Sequence, residues 1–301
     1  MEERAKKEAL LETRRLELEA AQSYFSSADA CSEQDVVHLV SNLNAEIFQV
    51  VRTISDAFRA TKRPTLDEKT RKTLKSLIGS SMMQCLLSFP HRNDTVVLEM
   101  ALQFAMVAFI ERAVSAWDMS IWKHGAFASV YDQMLGAECQ TVTGRWRALA
   151  RQHAPERERW KGIIENDLSY FSTSILLAAG GNGSIPQSVK ESLVVIACMA
   201  SQLRKMIGED IVGSNYQVTV GRPGDEFSPN AMEDSCAVKG KPPKTGVRVF
   251  CPSELGLRRI EKGDSGAADI RAVTLVRSKV ILEDFADELG LREILRCADK
   301  K

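Results

Sequence analysis

Residues 32–57 read SEQDVVHLVSNLNAEIFQVVRTISDA. Ser32 is a good helix N-cap, and Asp35 three residues later can return the favour to its backbone. Apolar residues then fall at Val36, Val40, Leu43, Ile47, Val50, Ile54 and Ala57, alternately four and three apart. That is an a/d heptad seam sustained over three heptads. Val37, Leu39, Phe48, Val51 and Phe58 flank it and widen the stripe. A widened stripe predicts a bundle helix covered on more than one side, rather than one strand of a simple coiled coil.

The same periodicity extends in both directions. Upstream, residues 2–20 mix charges, with Leu11 and Leu18 seven apart and Phe25 seven further on. Pairs such as Glu3–Lys7 and Arg15–Glu19 stand four apart, where they support an exposed, coiled-coil-like helix. Downstream, Pro64 and a Thr65–Glu68 capping box are expected to open a helix that Pro90 ends. Asn93 or Asp94 should cap the next, which runs to about Trp117 and is apolar almost all round, a pattern for the bundle centre. Shorter helices are expected at 126–137 and 142–153. A longer one carries Trp160, Ile164, Leu168 and Ile175 and ends at Gly180–Gly183. Another carries Val189, Leu193, Ile196, Ala200, Leu203 and Ile207, with Gly208 closing it.

Beyond residue 208 the pattern changes. Five of the nine prolines lie between 223 and 252, so helices cannot run through. Residues 209–269 read as loop-rich and partly disordered, with two or three short strands, among them Tyr216–Val220 and Val247–Phe250. Ile270–Val276 reads as one more strand, and 279–297 as one or two amphipathic helices. The organisation expected is a charged helix over 1–31, a helical bundle over 32–208, the loop-rich segment over 209–269, and a strand plus helix over 270–301. The class is all-α, a helical bundle with a charged, coiled-coil-like N-terminal helix and a small α+β C-terminal appendage.

Forty basic residues balance forty acidic ones, so the chain as a whole is no electrostatic attractor for nucleic acid or anionic membrane. Seven cysteines are odd in number, scattered and never in a CxxC pair, which points to thiols in a reducing compartment without a disulfide framework or zinc site. The most apolar run, Met100–Ile110, has eleven residues, where a membrane span needs about twenty. The N-terminus is too charged for a secretory leader. An intracellular protein, cytoplasmic or nuclear, is expected.

Candidate chemistry is sparse. Gly263–Asp264–Ser265–Gly266 matches the surroundings of the nucleophile in chymotrypsin-like proteases, but those are β-barrels that bring a histidine and an aspartate to the serine. Here His38, His91, His124 and His153 all lie in or beside helical stretches, so a turn is the better reading. No HExxH, GxGxxG or GxxxxGK[ST] occurs, so no metal, cofactor or phosphate loop is expected. Gly180–Gly183 lacks the lysine and preceding strand of such a loop. Residues 223–252 can hold a short docking motif or a plain surface loop. The segment 144–161 is the one local basic patch: Arg145, Trp146, Arg147 and Arg151 are types that bind phosphates and stack on bases. The alternative for them is a core tryptophan pair with arginines on a wet face.

Ser26–Ser27–Ala28–Asp29, Ser32–Val37 and Leu43–Gln49, with Gly144–Leu149 and the tail around Val273–Leu282, resemble an uncharacterised family of helical proteins from mushroom-forming (basidiomycete) fungi. The resemblance is specific over residues 26–60. It implies an all-helical body and an intracellular fungal origin, and it carries over no catalytic residue.

The reading favours a non-catalytic protein-interaction or scaffold role, with a protein partner or self-association through a seam of Leu11, Leu18, Val36, Val40, Leu43, Ile47, Val50 and Ile54. Nucleic-acid or phosphate-ligand binding through Arg145, Trp146, Arg147 and Arg151 stands as an alternative. An enzyme with an unfamiliar site inside the bundle is the third.

Overall fold

A computed structural model of the chain describes residues 2–25, 29–61, 66–117, 125–154, 159–237, 246–262 and 270–298. It is mainly helical with a small C-terminal sheet region. The described helices are α1 (Glu2–Phe25), α2 (Glu33–Ala57), α3 (Glu68–Ser88), α4 (Val96–Ser115), α5 (Ala126–Ala137), α6 (Gln140–Gln152), α7 (Trp160–Ala178), α8 (Gln187–Lys205), α9 (Glu283–Glu288) and α10 (Leu291–Ala298). No described helix is long and apolar enough to cross a membrane.

Helix α2 begins as its sequence prescribes. Ser32 Oγ accepts from the Asp35 amide at 3.2 Å, and Asp35 Oδ2 accepts from the Ser32 amide at 2.9 Å. Its heptad residues are then buried, none more than 3% exposed from Val36 through Ile54 along the a/d positions. They pack against α4 and α8 of the same chain. Helix α4 has no polar face over most of its length: Val97, Leu98, Leu102, Val107, Phe109 and Ile110 are all sealed from water. Each such side chain contributes about 1.5–3 kcal/mol relative to exposure, so α4 is the axis on which α2, α3, α7 and α8 assemble.

Several termini differ from expectation. Helix α3 is capped by Asp67, whose carboxylate accepts from the Thr70 amide at 2.9 Å; Thr65 lies outside the described residues. Gly79 breaks α3 with φ of +77°, a value only glycine adopts at low cost. Asp94 does accept from the Val96 amide, at 2.9 Å, but the residue at the N-cap of α4 is Thr95. Gly208 does not close α8. The helix runs on into a π turn over Met206–Asp210, and Gly208 sits inside it because a Cβ there would come within 2.6 Å of Arg151 Cδ.

The C-terminal region holds more strand than its sequence suggests. Strands β1 (Asn215–Thr219), β2 (Met232–Asp234), β3 (Val249–Pro252), β4 (Gly256–Lys262), β5 (Ile270–Val276) and β6 (Ser278–Leu282) form two three-stranded sheets, ordered β1-β4-β5 and β2-β6-β3. Residues 209–269, expected to give two or three strands, give four. Residues 279–282, the start of the stretch expected as terminal helix, belong to the central strand β6 (Ser278–Leu282). Strand β4 (GLRRIEK) escapes a hydrophobic reading because its charged residues are held from outside: Arg259 bridges Glu261 and Glu33 of α2. Pairing of β4 with β5 runs across residues 262–270, so a boundary at 269 falls within one sheet. The main hydrophobic core is continuous from Val36 of α2 to Leu291 of α10; sheets and bundle share it.

Candidate functional site

The last carbonyls of a helix have no intrahelical donor. At the end of α4 arginines supply them. Arg151 donates from Nη1 to Val114 O and from Nη2 to Ser115 O, each at 3.1 Å. Arg204 donates to Ala116 O at 2.9 Å. Both cations also face the negative end of the helix dipole, and both lie over indole rings, Arg151 at 4.9 Å from Trp117 and Arg204 at 4.0 Å from Trp160. Arg147 donates to Tyr131 Oη at 2.8 Å, to Asn215 Oδ1 at 3.1 Å, and to the carbonyls of Ile211 and Ser214. It thereby fixes the chain as it enters β1. Close approach of α6 to this entry depends on Gly144, whose missing Cβ would stand 2.0 Å from Val212 O.

Among the described residues three guanidiniums are thus buried, those of Arg147, Arg151 and Arg204, against one buried carboxylate, Glu209. The interior beside β1 carries an excess of positive charge. Burial, with Arg204 and Arg147 alongside, pushes the Arg151 guanidinium well below its ordinary pKa, while Tyr131 and Glu209 act in the opposite sense.

Two adjoining cavities open here. The smaller, about 280 Å³, is walled by Glu111, Trp117, Tyr131, Asp132, Arg147, Arg151 and Arg258. The larger, about 580 Å³, is walled by Glu111, Arg222, Asp225, Met232, Arg258, Ala272 and Thr274. Glu111, Val218 and Arg258 belong to both, so the two form one groove. Its sides hold four arginines and three carboxylates.

The groove has an unusual floor. Every residue from Asn215 to Val220 lines it. Neighbouring side chains in a strand point to opposite faces. Arg258 of β4 and Ala272 and Thr274 of β5 line the larger cavity as well, so it spreads across the face of the β1-β4-β5 sheet. β1 is the outer strand of its sheet, and its Asn215, Tyr216 and Val218 are buried.

Glu111 stands at the junction. It is the first carboxylate after the apolar run of α4, and it is half-buried. Burial raises its pKa above the ordinary carboxyl value, against the pull of Arg222 and Arg112. Two guanidiniums in the groove are exposed, Arg222 and Arg258. Arg258 donates from Nε to Gln217 Oε1 at 3.0 Å, leaving its Nη groups without a described partner. These can hold a carboxylate or phosphate in the bidentate fashion typical of arginine.

The sequence-derived candidates fall elsewhere. Val36, Val40, Leu43, Ile47, Val50 and Ile54 do not offer a seam to a partner, because α4 and α8 already fill it. Leu11 and Leu18 are exposed on α1, 69% and 58%. Arg147 and Arg151 are not on a surface patch: they are 3% and 5% exposed and bound to the chain's own carbonyls. Trp146 is half-buried, its ring 5.5 Å from Trp117 and 6.1 Å from Tyr131, and Arg145 beside it is half-buried as well. Gly263–Gly266, Ser265 included, and His124 lie outside the described residues. His91 is buried, with Nε2 donating to Leu86 O at 2.7 Å. Among the described residues no three His, Cys, Asp or Glu side chains cluster as metal ligands.

Glu111, Arg222 and Arg258 were missed. The available signals were faint: a carboxylate ending an otherwise apolar helix, and a period-two alternation in GLRRIEK. No protein-family model matches the chain, and the comparisons with curated proteins and with solved structures found no match.

Proposed function

We propose that this chain is a non-catalytic binding protein whose groove along β1 takes a ligand bearing a carboxylate or phosphate. One observation carries the reading: Arg222 and Arg258 present exposed guanidiniums in a groove that also receives the field of two buried arginines. Excess buried positive charge favours an anion in the adjoining space. Isothermal titration with citrate and with AMP, at low salt, tests it and separates carboxylate from phosphate preference. Saturable binding is expected for at least one probe, weakened about tenfold or more in an Arg222→Gln/Arg258→Gln double variant and by added salt. No binding of either probe, or equal binding by the double variant, would sink the reading.

Helix α1 favours a second role. Leu10, Leu11, Leu16 and Leu18 are 55–69% exposed, and Leu11 and Leu18, seven apart, share one face with Leu10 beside it, which a second copy of the chain could cover. Residues 29–30 are tied to the body: Asp29 accepts from the Val212 and Gly213 amides at 2.6 and 2.8 Å, and Ala30 donates to Asp210 O. Removing residues 1–31 would cut those ties as well, so substitution is the cleaner test. Changing the four leucines to glutamine should convert a self-associated form to monomer by light scattering; an unchanged mass would end this reading.

A further inference from the structure

We propose that the groove's ligand is an apolar α-amino acid held as a zwitterion, its ammonium on the Glu111 carboxylate and its carboxylate on the guanidiniums of Arg258 and Arg222. This rests on the anion-binding reading above and names the rest of the ligand. It stands on opposite charges that the fold brings together and leaves apart. Glu111 is half-buried on α4, and among the described residues its carboxylate has no hydrogen-bond or salt-bridge partner. A carboxylate taken from water without a partner is costly. Arg222 and Arg112 act on it only through space. Arg222 is exposed, and it is its backbone amide, not its guanidinium, that Asp225 binds, at 2.9 Å. Arg258 is exposed too and spends only Nε, on Gln217.

A plain anion would answer the two guanidiniums and leave Glu111 facing a like charge; a plain cation would do the reverse. A zwitterion satisfies both signs. Glu111 and Arg258 each line both cavities, so they meet at the junction. The charges they hold must then be adjacent on the ligand, as the ammonium and carboxylate of an α-amino acid are. The side chain runs into the larger cavity, where Val220, Ala231, Met232 and Ala272 supply an apolar wall. Its volume, about 580 Å³, lies within the range of small-molecule sites. Burial draws Glu111 toward its neutral form, and an ammonium beside it favours the charged form again.

The test is isothermal titration of the full-length protein at pH 7 and low salt, beside citrate and AMP. The probes are L-leucine, 2-hydroxy-4-methylpentanoate, which replaces the ammonium by a hydroxyl, and 3-methylbutylamine, which lacks the carboxylate. Leucine should bind about tenfold or more tightly than either analogue. Glu111→Gln keeps the shape and the hydrogen-bonding amide but removes the charge. It should weaken leucine about tenfold or more, while citrate binds the variant as well as before or better, which shows the groove intact. If citrate or AMP binds and leucine binds no tighter than its hydroxy analogue, the groove takes anions and the zwitterion proposal fails alone. If leucine binds but Glu111→Gln leaves its affinity unchanged, Glu111 does not hold the ammonium and the proposal also fails. If leucine, citrate and AMP all fail to bind, both readings fall together.

Discussion

Asn44, in the middle of α2, holds the backbone of Leu255 with both ends of its amide: Nδ2 donates to Leu255 O and Oδ1 accepts from Leu255 N, each at 2.9 Å. The two residues are 211 positions apart. This one buried side chain docks the start of β4, and with it the sheet that floors the groove, onto the helical bundle. Replacing it by leucine would strand a buried amide and a buried carbonyl. Asn44→Leu should therefore cost about 2–4 kcal/mol, seen as a lower midpoint in urea unfolding. Asn44→Asp keeps the acceptor but sets a carboxylate against Leu255 O, and should cost at least as much.

Two glycines in helices should respond oppositely to the same change. A Cβ on Gly144 would meet Val212 O at 2.0 Å, backbone against backbone, whereas a Cβ on Gly162 meets nothing within 4 Å. Gly162→Ala should stabilise by about 0.5–1 kcal/mol. Gly144→Ala must push α6 from the 211–214 turn and should destabilise by more than that. Calorimetric melting of the two variants checks both signs.

Arg151 spans two neighbouring carbonyls with a planar fork, which a lysine ammonium cannot reproduce. Arg151→Ala should cost about 2–4 kcal/mol through the unpaired carbonyls of Val114 and Ser115 and the lost contact with Trp117. Arg151→Lys should recover less than half of that loss in the same unfolding assay.

The pH dependence follows from two buried groups. The Glu111 pKa is raised by burial, so its proton is favoured by folding. The stability it contributes is complete below the ordinary carboxyl range and is lost as pH rises through its folded value. Glu111→Gln should raise the melting temperature at pH 7 and change it little at pH 4. The His91 pKa is lowered by burial, the reverse case: its contribution is present above the ordinary imidazole pKa, about 6.5, and is lost as pH falls through the folded one. His91→Phe should flatten the fall in stability on the acid side of pH 6.5, whatever it does to stability at neutral pH.

Much of the helical architecture was readable because periodicity and capping act locally. The α2 capping box and the all-apolar face of α4 are written in consecutive residues. What filled the α2 seam was not: nothing in the spacing of Val36 to Ile54 distinguishes a seam met by α4 and α8 from one met by another molecule. The arginines of α6 show the same gap. A basic residue next to tryptophan reads as a surface ligand site, yet the carbonyls of Val114, Ser115, Ile211 and Ser214 draw Arg151 and Arg147 inward, and those acceptors lie far away in sequence. The groove was least legible. It forms where β1, β4 and β5 come beside α4, and a charged strand such as GLRRIEK gives little hint that it pairs.

The most direct test of the groove as the binding site is hydrogen–deuterium exchange of the full-length protein with and without saturating citrate. The amides of residues 215–222 and 256–262 should slow, while those at Lys161 and Lys205, which line neither cavity, should not change. Protection at Lys161 and Lys205 instead, or none along β1 despite measured binding, would contradict the account.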